Sequence, residues 1–245
     1  VLLATYVLAQ LEKVLNKVVH DSIKMLVVGP VALLITGFLA FIVIGPIALI
    51  LGTGITNGVT YVFEHAGWLG GALYGLLYAP LVITGLHHMF LAVDFQLMGS
   101  SLGGTYLWPI LAISNICQGS AAFGAWIVYK RKKMVKEEGL AFTSGISGVL
   151  GVTEPALFGV NLPLKYPFIA AILTSSVLGA FIGAHKVLGS VGVGGWPAFI
   201  SIKSEFWWIY LPATLIATVV PAVLTIVFSR FSNQKAKKMV DTSNS

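Results

Sequence analysis

The chain has 245 residues, of which 57% are hydrophobic and only 10% charged, with a mean hydropathy of +0.90 and a net charge of +6. So apolar a composition excludes an ordinary soluble domain, and the charge-free gaps Lys24 to Glu64, Asp94 to Lys130, Lys165 to Lys186 and Glu205 to Arg230 each reach the roughly 20 residues of a membrane-spanning helix. The basic residues cluster in "YKRKKMVK" (129–136) and "RFSNQKAKK" (230–238) without an aromatic-rich polar surface, so they read as cytoplasmic loop and tail and exclude a nucleic-acid partner.

The sequence opens on an apolar run at Val1 without a charged n-region or a small-residue cleavage site, which suggests a start part-way through a longer polypeptide and no signal peptide. In "LEKVLNKVVHDSIKM" (11–25), Leu11, Val14, Leu15, Val18 and Val19 fall at helical spacing. That suits either a helix in the membrane interface or the charged end of a spanning one. Residues 26–51 form a long or tilted span punctuated by Pro30 and Pro46, where a kink is expected.

The next stretch, "GTGITNGVTYVFEHAGWLGG" (52–71), is rich in Gly, Thr and Asn and reads as a loop or partly re-entrant connection. An apolar helix resumes over 69–91, with Gly71 and Gly75 in small-xxx-small spacing for close helix packing. A further span covers 108–129. From Ala141 to Pro163 there are too many glycines, prolines and hydroxyl residues for a lipid-facing helix, so a broken hairpin lining a cavity is expected. A span at 168–184, a glycine loop "GSVGVGGWP" (189–197) and a last span at 207–228 follow, with no convincing internal repeat.

Glu154, in "GVLGVTEPALFGVNLP", is the residue whose place needs a reason, because a carboxylate at membrane depth costs about 2.5 to 3.5 kcal/mol on insertion scales. It is either solvated in a surface loop or set at a broken-helix tip that accepts hydrogen bonds from a polar ligand, with Thr153 and Asn161 beside it. His87 and His88, with Asp94 on a following turn, form a second polar group. Adjacent histidines diverge on a helix and no thiolate is near, so no metal is expected; a neutral polyol suits their mixed donors and acceptors. Asn115 and Gln118, in "ISNICQGSA", bond either another helix or the ligand. Trp196 is either a sugar-stacking face or an interfacial anchor. Cys117, the only cysteine, reads as a packing residue. Walker, dinucleotide, voltage-sensor and potassium-filter signatures are absent from the sequence.

"GVTEPALFGVNLPLKYPF", "GLHH" and "LWPILAISNICQGSAAFG" resemble the membrane (IIC) component of bacterial phosphoenolpyruvate-dependent sugar phosphotransferase systems, in the glucose/sucrose/trehalose group. The G-[IV]-T-E-P motif is specific to that group, and "HHMFLAVDFQLM", "GGTYLWPILAISN" and "GVGGWPAFISI" look most like trehalose permeases, with sucrose permeases close. The resemblance implies an all-α polytopic membrane bundle with re-entrant hairpins and an elevator-like transport domain, assembled as a homodimer in the bacterial inner membrane with its C-terminus cytoplasmic. Residues 1–66 would then end a scaffold and dimerisation part whose earlier spans are missing, and 67–245 would form the sugar-binding transport domain with a cytoplasmic tail at 230–245.

On this resemblance Glu154, His87, His88, Asp94, Asn115, Gln118, Thr153 and Asn161 hold the disaccharide, and Glu154 or His87 assists proton removal. No cofactor is implied. The partners are a IIB phosphocysteine domain and, through it, the IIA and HPr phosphocarriers; Cys117 is not the phosphocysteine, because it sits in a span. A proton-coupled transporter using Glu154 and His87 as its relay, or a non-transporting sensor, would be the competing classes.

Overall fold

The computed structural model describes residues 2–243, with side-chain surroundings for all of these except Leu2, Ala48, Leu51 and 232–243. The last two residues of the expected tail, and the side chains of its Lys235, Lys237 and Lys238, lie outside that description. Helix dominates, and among the described residues β pairing is confined to isolated bridges of Gly189 with Thr105 and Ile202, which makes the chain the expected all-α bundle. Contacts divide it into two compact units, Val1–Ile55 and Thr56–Ser245.

In the first unit, α1 (Leu2–Val18) packs on α2 (Lys24–Leu39) across a short turn where Lys24 meets Asp21 at 2.5 Å. Pro30 stays inside α2 without ending it. A π-turn over Ala40–Ile44 then leads into α3 (Gly45–Ile83). The proline explains the turn: the Pro46 ring would clash with the carbonyl of Ile42 in a regular α-helix, and the wider turn takes up the misfit. The same device recurs in the second unit, where a π-turn over Leu157–Asn161 precedes Pro163.

Residues 52–71 are helical, not the loop that their composition suggests; α3 is interrupted only at Ala66, whose φ of −144° and ψ of 56° mark a kink. In a bilayer, unpaired amides cost more than poor helix propensity, so Gly, Thr and Asn stay helical there. The helix also ends earlier than the apolar pattern, at Ile83 instead of running to 91. Thr84 turns its hydroxyl back onto the Pro80 and Leu81 carbonyls, and Gly85 takes a left-handed φ of 75°.

The second unit is built around α5 (Leu107–Arg131), which packs against α6 (Val135–Val149), α9 (Tyr166–Ala184) and α10 (Trp207–Ser243) and is almost wholly buried. Small residues set these distances. A Cβ on Gly71 or Gly75 would strike the backbone of Gly179 or Ser175, so the expected close packing of α3 is against α9. Ser120 of α5 enters the hydrogen-bond ladder of α10 next to Pro221, donating to the Thr218 carbonyl at 2.6 Å and accepting from the Ala222 amide at 3.1 Å. Residues 107–131, 166–184, 204–231 and the long run 21–83 are apolar and long enough to cross a membrane. Their outward surfaces are aliphatic, as at Leu215, Val219 and Val223 on α10, which suits lipid and not water. Re-entry of the chain into a bilayer is not among the features that these helices define.

Candidate functional site

Three local devices bring polar groups together in the second unit. The stop at Gly85 leads into a 3-10 turn, Leu86–Met89, which sets the His87 and His88 rings 3.9 Å apart and tilted, and His87 edge-on to Tyr78 at 6.2 Å. The short helix α4 (Phe90–Gly99) carries Asp94, which is 1% exposed and accepts a 2.5 Å hydrogen bond from the Thr105 hydroxyl. Thr105 in turn accepts from the Leu107 amide and so starts α5, whose first turns carry Trp108, Leu111 and Asn115 at helical spacing.

A cleft of about 240 Å³ lies between these groups, floored by the backbone of Gly151, Gly192 and Gly194. Glycine is required there. Gly151 has a φ of 104°, and a Cβ on Gly194 would collide with the Asn115 amide nitrogen, while one on Gly195 would collide with the Val149 carbonyl. The turn after α6, the glycine loop and Asn115 therefore interlock, and Asn115 Nδ2 donates to the Gly151 carbonyl at 3.4 Å. Three cleft-lining groups carry a buried atom with no hydrogen-bond partner: His87 Nδ1, Trp108 Nε1 and Asn115 Oδ1. Buried polar atoms are rarely left so, and an indole donor, an amide acceptor and an imidazole nitrogen together match a neutral ligand that both donates and accepts.

The expected residues separate into three places. His87, His88, Asp94 and Asn115 line the cleft. Asn115 also lines a second void, too narrow for a water molecule, with Gln118, Thr153 and Ser114. Asn161 lines neither; it is fully buried and donates to the Gln118 carbonyl at 2.9 Å and to Gln118 Oε1 at 2.8 Å. Glu154 opens α7 (Glu154–Ala156), which continues through the π-turn into α8 (Leu162–Leu164), so the breaker-rich stretch is a helix–turn–helix formed with α6. Its side chain is exposed and lines neither cavity. It lies within electrostatic reach of the cleft: burial and the neighbouring His88 hold His87 below its ordinary pKa, and the Leu81 backbone and then the Glu154 charge pull it partly back. Among the described residues no three His, Cys, Asp or Glu side chains converge to hold a metal. Trp196 is committed elsewhere, donating to Thr218 Oγ1 at 2.9 Å.

The sequence profile described as "Phosphotransferase system, EIIC" matches residues 1–175. The chain belongs to the EIIC family. It is 49% identical over 96% of its length to the trehalose-specific EIIBC component of Bacillus subtilis (strain 168), covering 49% of that protein. It is 45% identical over 83% of its length to the sucrose-specific EIIBC component of Staphylococcus xylosus, covering 43% of it. Against the trehalose-specific EIIBC component of Escherichia coli (strain K12) the figures are 40%, 91% and 47%. The chain thus spans about half the length of these curated relatives. No solved structure matches it. Family membership and the four long apolar helices make it an integral membrane protein.

Two cleft residues of this EIIC chain were missed by sequence reasoning. Tyr78 stands one turn after Tyr74 on α3, and Trp108 stands two turns before Asn115 on α5; both spacings were legible as a shared helix face with the polar residues. The glycine floor had a visible signal, but only the fold shows that Gly151 and Gly194 meet. Asp94 is held above the ordinary carboxylate range by burial, against the pull of its Thr105 hydrogen bond.

Proposed function

We propose that this chain is the sugar-transporting membrane part of a phosphotransferase system, and that it takes up trehalose or a close glucosyl disaccharide. The observation that carries this reading is that His87, Trp108 and Asn115, each with a buried unpartnered atom (Nδ1, Nε1 and Oδ1), line one cleft. Hydroxyls of a sugar supply the matching donors and acceptors, and the Trp108 ring offers an apolar face for ring carbons. Relatives named for trehalose and for sucrose stand close together in identity, which supports both substrates. The two sugars share an α-glucosyl ring, and the cleft is assigned to that ring.

Glu154, exposed and within electrostatic reach of the cleft, accepts from sugar hydroxyls in a charge-assisted geometry. The loaded domain, residues 67–245, moves against a scaffold that includes 1–66 and presents the sugar 6-hydroxyl to a IIB phosphocysteine. There the hydroxyl oxygen attacks phosphorus, the S–P bond breaks with the thiolate leaving, and the hydroxyl proton passes to Glu154 or His87. The IIA and HPr carriers recharge IIB, the protein acts as a homodimer, and the basic turn 130–136 and the C-terminus face the cytoplasm. Glu154→Gln tests the core of this reading. Trehalose binding and phosphoenolpyruvate-dependent sugar phosphorylation in membrane vesicles are both expected to fall about tenfold or more, since charge-assisted hydrogen bonds contribute roughly 1.5 to 3 kcal/mol. Unchanged values would refute it, and uptake of unmodified sugar driven by a pH gradient would replace it with a proton-coupled mechanism.

A further inference from the structure

We propose that the groove between α9 and α10 seats an acyl chain of an anionic phospholipid, whose phosphate is held at the basic end of the bundle by Lys165 and Arg230. The proposal does not depend on which sugar the chain carries.

The groove lies on the outward side of the second unit. Leu173, Val177 and Leu178 of α9 and Ile216, Val220 and Leu224 of α10 line a space of about 200 Å³. Thr174 completes the wall, and its hydroxyl is spent on the Ala170 carbonyl at 2.9 Å, so the lining is aliphatic in effect. Val177 is 70% exposed, which leaves the groove uncovered by the protein itself. In a bilayer such a groove gains little over bulk lipid, because acyl chains are as apolar as leucine. The groove therefore supplies shape, and the choice among lipids falls to the charges at its end.

Register shows where that charge lies. Ser120 of α5 meets Thr218 of α10, and a Cβ on Gly124 would meet Thr225, so the two helices run in parallel and Tyr129 stands about level with Arg230. Tyr129 and Leu164 pack on one apolar cluster, which puts Lys165 and the start of α9 at the same end. Ile169 on α9, and Val227 and Phe231 on α10, are exposed and carry apolar surface from the groove toward it.

Lys165 and Arg230 are both exposed, and among the described residues neither makes an ion pair or a side-chain hydrogen bond. Lys165 is also held at a φ of 64° and a ψ of −50°, near the strained γ-turn conformation. Glycine takes such angles without strain, so a gain through the lysine side chain would offset the cost. Lys186, at a φ of 50°, finds that gain inside the protein, where its Nζ donates to the Glu64 carbonyl at 3.1 Å. For Lys165 a lipid phosphate supplies it. The acidic residues at this end, Glu137 and Glu138, sit on α6, which packs mainly on α5, and Glu138 accepts from Trp126 Nε1. Basic groups at the ends of membrane helices take phosphate headgroups in this way.

The test is native mass spectrometry of the full chain titrated with palmitoyl-oleoyl phosphatidylglycerol, with phosphatidylcholine of the same chains and with glycerol 3-phosphate, and thermal unfolding read in parallel. The wild type is expected to bind phosphatidylglycerol about tenfold more tightly than phosphatidylcholine and to gain about 3 °C or more in unfolding temperature from it. Lys165→Gln and Arg230→Gln should each remove most of that preference, Lys165→Arg should keep it, and Val220→Trp, which fills the groove, should weaken both lipids. Lys136→Gln in the basic turn and Val223→Trp, outside the groove lining, should change nothing. Equal binding of the two lipids would leave only ordinary bilayer contact, an equal loss in Lys136→Gln only diffuse attraction to a basic protein, and a full shift from glycerol 3-phosphate only a free-anion site; each would overturn the proposal. Phosphatidylglycerol retained by Val220→Trp together with a changed oligomeric state in light scattering would overturn it too, and assign the groove to a second copy of the chain.

Discussion

Asn161 donates to Gln118 twice, at 2.9 Å to its backbone carbonyl and at 2.8 Å to Oε1, and so ties the far arm of the broken hairpin to the central helix α5. Both residues are 2% exposed or less, so no solvent replaces a lost partner. The π-turn that ends at Asn161 aims its amide at α5, which links the misfit of Pro163 to the packing of the site.

Removing the donor should therefore be felt as a buried unsatisfied acceptor. Asn161→Leu is expected to lower stability by about 1 to 3 kcal/mol, read by thermal or denaturant unfolding in detergent. Gln118→Leu added to it should cost less than the sum of the single changes, because the two share one interaction. Strictly additive losses would show that the pair is not coupled.

Glycines at helix contacts and glycines in open space should respond with opposite signs. A Cβ on Gly71 meets the Gly179 carbonyl oxygen and carbon, backbone atoms that cannot step aside, so Gly71→Ala should force α3 from α9 and sharply lower the unfolding temperature. Gly139 in α6 has nothing within 4 Å of the same position. There Gly139→Ala should raise stability by up to about 1 kcal/mol through helix propensity alone. Similar effects at both sites would deny the close approach.

The sequence carried the glycine loop and the spans after residue 100, because each rests on local signals: Gly density, apolar length, a basic terminus. It misled over 52–71, where water-derived propensities gave a loop or partly re-entrant connection and the chain is helical. It also ran one helix through His87 and His88, although Thr84 and Gly85 carry the stop. Most of the site's residues were legible as polar groups out of place. Their division was not, because only the fold has Asn115 line both a cleft and a void, leaves Glu154 exposed, and commits Asn161 to Gln118.

Asp94 should give stability a pH dependence of predictable sign. Burial holds its folded-state pKa above the ordinary carboxylate value, against the Thr105 hydrogen bond. The folded state thus binds the proton more tightly than the unfolded state. Stability from this group is gained as pH falls through the raised folded value, is complete at the ordinary unfolded value, and is lost again as pH rises. Because the Leu107 amide donates to Thr105, the Thr105 proton points to Asp94 Oδ1, which an amide oxygen replaces. Asp94→Asn should fold and lose this dependence, while Asp94→Leu should destabilise at every pH; an unchanged pH profile in Asp94→Asn would assign the dependence elsewhere.

His87 offers a sharper test, because two neighbours move it in opposite directions. Burial first, and then His88, hold it below the ordinary histidine pKa, so it is neutral at neutral pH; the Leu81 backbone and then the Glu154 carboxylate oppose them. If neutral Nδ1 accepts from the sugar, binding weakens on acidification as His87 takes up a proton. His88→Gln removes a neighbour that lowers the His87 pKa and should shift that acid limb to higher pH. Glu154→Gln removes the opposing carboxylate and should shift the limb of its residual binding to lower pH. Equilibrium trehalose binding followed across about pH 5 to 8 reads both shifts, with His87→Gln expected to flatten the limb altogether. A limb that moves the same way in both variants, or that survives in His87→Gln, would mean that another group titrates against the ligand.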